Sequence, residues 1–168
     1  MKGNLQEALK NVDMTYEQLQ TIAVGFARAH TKEIDDIIKQ AESVKDLTDS
    51  QVSNLILLLS VKSYNLSEPS ELAELKLEIA TSIKKEEYAK VFSATEGTVA
   101  TKENAAFIET TDELMSEKIY DVVASLLKTK RDETHRVVDA LKSVLMSRMQ
   151  EAKITAQVNT DKAAFESV

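Results

Sequence analysis

Residues 92–103, FSATEGTVATKE, hold the last of only three glycines in this 168-residue chain. The sequence on both sides is helical in pattern. Before the glycine, Leu72, Leu75, Ile79, Ile83 and Val91 fall close to one stripe; after it, Phe107, Ile108, Leu114, Ile119, Val123 and Leu127 recur at helical spacing. A glycine between two such runs supplies the backbone freedom for a turn, and Ser93, Thr95, Thr98 and Thr101 supply hydroxyls for the helix ends. The stretch therefore predicts the tip of an antiparallel helical hairpin over residues 70–153, with Thr101 capping the second arm. That arm is unbroken by Gly or Pro and is longer than the first by ~20 residues, or ~30 Å at 1.5 Å per residue. Its distal half, residues 128–153, then has to pack on the N-terminal helices or on another subunit.

Composition agrees with helices everywhere. Three glycines and one proline leave almost no material for the turns of a β fold, while Ala, Leu, Lys, Glu and Gln are strong helix formers. Aromatic residues make up 5% and tryptophan is absent, so the core has to be aliphatic, as in helical bundles and coiled coils. The fold class is all-α: an N-terminal helical hairpin in residues 1–65, the long hairpin in 70–153, a weakly patterned tail in 154–168, and an elongated outline.

In the N-terminal region, Thr15-Tyr-Glu-Gln18 and Thr48-Asp-Ser-Gln51 both fit a capping box. Gly25 interrupts the first helical pattern, where a close helix crossing is the expected reason. The run LILLL, residues 55–59, predicts a helix buried on several sides. Pro69 fits the first turn of the next helix with Ser67 as its N-cap, which makes 65–70 the best boundary.

Several function classes lose support at once. There are no cysteines, so no disulfide, thiol catalysis or Cys-ligated metal is available. The longest apolar run is five residues, Leu55–Leu59, far short of a membrane span, and the N-terminus lacks the apolar core of a signal peptide. A soluble, cytoplasmic protein is expected. His30 and His135 are the only histidines, and neither stands in an HExxH or ExxH pattern. No phosphate-binding loop or nucleophile elbow is present. No catalytic residue, metal or cofactor is expected, and the chain reads as a non-enzyme.

The most unusual segment is LLKTKRDETHRVV, residues 126–138, in which nine consecutive residues carry no apolar side chain. The net charge is −7, yet residues 118–153 hold eight basic and five acidic side chains, a local +3 that leaves −10 elsewhere. Lys128, Arg131, His135 and Lys142 fall at helical spacing, a ladder suited to a phosphate backbone. With Lys130, Arg136 and Arg148 they form the candidate nucleic-acid site. The alternative is a solvated stretch or ion pairs with an acidic neighbour. Tyr88, Phe92, Phe107 and Tyr120 offer stacking surfaces for bases, or anchor helix contacts.

The charged helix ELAELKLEIATSIKKEEYAKVF, the break ATEGTVATKENAA and the terminal run VVDALKSVLMSRMQEAKI together resemble the UvsY-type phage recombination mediators. The resemblance covers about residues 70–153 and rests on pattern. It implies an oligomeric helical accessory protein that binds single-stranded DNA and helps load a recombinase, with Lys142, Arg148 and Lys153 as the carried-over basic positions. The net charge of −7 and the unmatched residues 1–65 depart from that pattern. The competing expectation is a structural or adaptor protein, such as a virion component, assembly chaperone or inhibitor of a host protein, acting through protein–protein contacts. Either way a homo-oligomer is expected.

Overall fold

The computed structural model describes the backbone of residues 16–166 and the side chains of residues 17–159. Every regular element in that span is a helix: α1 (Tyr16–Ala41), a 3-10 turn (Val44–Asp46), α2 (Asp49–Asn65), α3 (Ser67–Ala94), α4 (Val99–Glu109) and α5 (Thr111–Glu166). The protein is all-α. Two compact units share these helices. One takes α1 up to Thr31 together with Leu66–Lys130; the other takes Lys32–Asn65 together with the chain from Arg131 onward.

In the first unit, α3 and α4 pack on each other across the turn at Gly97. Gly97 has φ +123°, and no other described residue has a positive φ. Thr95 closes α3, with both its N–H and its hydroxyl donating to the Val91 carbonyl. Thr98, not Thr101, opens α4: its hydroxyl accepts from the Thr101 N–H at 3.3 Å. The second arm is also not continuous. It breaks at Thr110, whose hydroxyl donates to the Ala106 carbonyl at 2.8 Å, while Thr111 reaches back to Ile108 at 2.9 Å. Two adjacent hydroxyls competing for helix carbonyls bend the chain without any glycine or proline. The N-terminal part of α5 runs alongside α3: Thr81 donates to Glu117 at 2.9 Å and Lys84 pairs with the same carboxylate.

The buried positions of this unit are mostly small. Ala23, Ala27, Ser70, Ala73, Ala80 and Ala106 are buried, along with the larger Ile119, Val123 and Leu127. Small residues let helix axes approach closely but remove little apolar area from water.

The second unit contains the part of α1 from Lys32 onward, the 3-10 turn and α2. Its capping box forms as the sequence predicts: the Gln51 N–H donates to the Thr48 hydroxyl, and the Thr48 N–H donates to Gln51 Oε1 at 2.8 Å. Val52, Leu55 and Leu59 are buried with Ile34, and Lys62 of α2 pairs with Glu33 of α1. From α5, Thr134, Val138 and Leu141 are buried in the same unit.

Four further expectations need correction. Leu57 and Leu58 are exposed, so α2 buries one face only. Ser67 makes no side-chain cap; α2 and α3 are joined through Leu66, which is buried and has helical φ −77° and ψ −15°. Gly25 is exposed, and an added Cβ there would meet nothing within 4 Å, so no close crossing explains it. The segment after Lys153 is not a separate tail, because α5 continues to Glu166. Thr15, the predicted cap of α1, lies outside the described residues.

Candidate functional site

The basic candidates all lie on α5, and the helix sends them in different directions. Lys128, His135 and Lys142 are exposed and spaced by seven residues. A heptad step drifts only ~20° on a straight helix, so the three share a stripe. The same stripe carries Asp132 and Asp139, both exposed. Lys142 is paired with Asp139 at 3.4 Å. A phosphate backbone tracking this face would meet carboxylates between the cations.

The remaining candidates leave that stripe. Arg131 is half-buried, continuing the line of buried Leu127, Thr134, Val138 and Leu141. Arg136 is exposed to one side, and Lys130 is half-buried and engaged with its surroundings. Arg148 faces inward. Its Nη1 donates to the Leu47 carbonyl at 2.8 Å and to Asp49 Oδ1 at 3.0 Å, and its Nη2 donates to the Val44 carbonyl at 2.8 Å. A planar guanidinium fork fits this use, satisfying the carbonyl ends of the 3-10 turn and the acid at the start of α2. The sequence pattern places Arg148 on a basic helix but contains no signal that the 44–49 turn would fold beneath it.

The aromatic candidates are also occupied. Tyr88 and Phe92 stack on one another, with centroids 6.3 Å apart and planes at 17°. Lys102 lies 5.7 Å over Phe92, and Lys76 lies 5.7 Å over Tyr120, both within cation–π range. Only Phe107 of the four is exposed.

The surface feature that sequence reasoning missed is on α3. Leu72, Leu75, Ile79 and Ile83 fall close to one apolar stripe in the sequence, the kind a helix ordinarily turns toward its core. They are instead 49, 50, 50 and 43% exposed, while Ser70, Ala73 and Ala80 are buried. The helix thus turns small side chains inward and large aliphatic ones outward. One signal was legible: Ser70, Ala73, Leu77 and Ala80 make a second, narrower stripe at helical spacing. Val61 and Tyr64 on α2, Val99 and Phe107 on α4, and Met146 and Met149 on α5 are exposed as well.

The electrostatics are local. Hydrogen bonding from Lys84 holds the Glu117 carboxyl below the usual glutamate range, aided by Thr81 and opposed by desolvation. Lys62 lowers Glu33 in the same way at the surface, and Glu87 and Glu86 raise Lys90. Among the described residues no group of three or more His, Asp or Glu is placed to hold a metal ion, and no helix is long and apolar enough to cross a membrane.

No family model, curated protein or solved structure matches this chain. The functional reading therefore rests on its own geometry.

Proposed function

We propose that this chain is a non-enzymatic helical accessory protein that works as an assembled oligomer through protein–protein contacts. The observation that carries the reading is the outward-facing aliphatic row Leu72, Leu75, Ile79 and Ile83 on α3. Monomeric soluble proteins scatter exposed apolar side chains singly; a contiguous row marks an interaction surface. Light scattering tests it directly. The expected result is a mass at a multiple of 18.7 kDa, unchanged by an added oligo-dT strand. A monomer at all concentrations overturns the reading.

A second reading, a phage-type recombination mediator on single-stranded DNA, draws on Lys128, His135 and Lys142 sharing an exposed stripe. Asp132 and Asp139 in that stripe and the net charge of −7 weigh against it. Under this reading Lys128→Ala with Lys142→Ala flattens the log–log salt dependence of oligo-dT binding by about two units. Absence of any gel shift at low salt removes it.

A further inference from the structure

We propose that α3 is a self-association surface, on which a second copy of this chain packs antiparallel through Leu72, Leu75, Ile79 and Ile83. This rests on the oligomeric reading above and assigns its interface. The four residues follow i, i+3, i+7, i+11, which is a single helix face ~16 Å long. They cannot be absorbed within their own unit by rotating α3. Rotation would expel Ser70, Ala73 and Ala80 from the buried side and break the contacts of Thr81 and Lys84 with Glu117. The outward direction of the large side chains is thus fixed by the inward packing of the small ones.

The identity of the partner follows from the row itself. A twofold interface requires one patch to complement itself. With the axis between Leu75 and Ile79, Leu75 meets the partner subunit's Ile79 and Leu72 meets the partner subunit's Ile83, so each aliphatic position faces another. Charge selects the direction. The first part of α3 holds Glu68, Glu71, Glu74 and Glu78 against Lys76, and the second holds Lys84, Lys85 and Lys90 against Glu86 and Glu87. Parallel pairing would align the acidic first part of one α3 with the same acidic part of the other, an arrangement of like charges that disfavours association. Antiparallel pairing brings Lys85 to the partner subunit's Glu71. Lys85 is exposed and has no ion-pair partner among the described residues, so it is available for that role.

Sedimentation equilibrium on the full chain tests the proposal. The wild type is expected at twice 18.7 kDa, and Ile79→Glu at the single-chain mass with unchanged far-ultraviolet circular dichroism. Leu75→Glu is the second variant, and the exposure of both sites keeps the fold intact. The chain has no cysteine, so orientation can be read by mixing Leu72→Cys and Ile83→Cys chains and oxidising. A cross-linked mixed dimer is expected, with no cross-link in either variant alone. A wild type that stays monomeric at about 0.1 mM overturns both this inference and the oligomeric reading. An oligomer indifferent to both glutamate variants overturns this inference and leaves that reading standing. Self-cross-linking of Leu72→Cys overturns the antiparallel arrangement.

Discussion

Gly97 and Gly25 stand in opposite situations, and substituting each with alanine separates them. Gly97 sits at φ +123°, and a Cβ there would lie 3.3 Å from the Thr101 methyl. Backbone strain at such an angle costs about 1–3 kcal/mol for a residue with a side chain, so Gly97→Ala is expected to lower stability by about that amount in urea unfolding. Gly25 lies inside α1, with nothing within 4 Å of the added methyl. There the glycine contributes only backbone entropy to the unfolded chain, and Gly25→Ala is expected to raise stability by about 0.5–1 kcal/mol. The scarcity of glycine made the turn at Gly97 legible. It misled at Gly25, because sequence reveals that a side chain is missing but not what surrounds the gap.

At the scale of elements, the telling contacts join segments distant in sequence. Arg148 satisfies the Val44 and Leu47 carbonyls and Asp49 from the far end of the chain. Removing it leaves half-buried acceptors without their charged donor, which costs about 2 kcal/mol. Arg148→Ala should therefore lower stability by about that amount in urea unfolding, and Arg148→Lys should recover only part of the loss, because an ammonium cannot fork across two carbonyls. Glu117 ties α5 to α3 through Lys84 and Thr81, and its pKa is lowered in the folded state. In the unfolded chain it titrates near the ordinary value of about 4.3. The folded state then binds fewer protons between the two values. Its contribution is fully present above pH ~4.3 and is lost as pH falls through the lower folded value. An acid titration of stability should show a shallower fall for Glu117→Gln than for the wild type. Helix positions, the Gly97 turn and the Thr48–Gln51 box were readable from periodicity and capping chemistry, since these depend on neighbours in sequence. The break at Thr110, the inward turn of Arg148 and the outward face of α3 were not, because each depends on which of two plausible faces the tertiary fold selects.

For the whole molecule the decisive quantity is the apolar surface its units leave in water. A fully buried Leu or Ile contributes about 1.5–3 kcal/mol, and Leu72, Leu75, Ile79 and Ile83 are each about half-exposed. Covering the remainder yields roughly 1 kcal/mol per side chain, or about 8 kcal/mol gross for the eight in a dimer. Association itself costs about 4–15 kcal/mol, so this row alone sets a marginal balance that ion pairs such as Lys85 with Glu71 help to tip. Marginal association is concentration-dependent, and so is the stability it confers. A hundredfold rise in protein concentration adds about 2.7 kcal/mol per dimer, or about 1.4 kcal/mol per chain. For a chain of this size that moves the midpoint by about 2–4 °C per kcal/mol. Thermal unfolding followed by circular dichroism is therefore expected to shift upward by about 3–6 °C across that range for the wild type. The same experiment with Ile79→Glu should give a midpoint that does not move, because the variant leaves the unit's small-residue core untouched and removes only what a second copy would cover. A wild-type midpoint independent of concentration would mean that the α3 face stays in water.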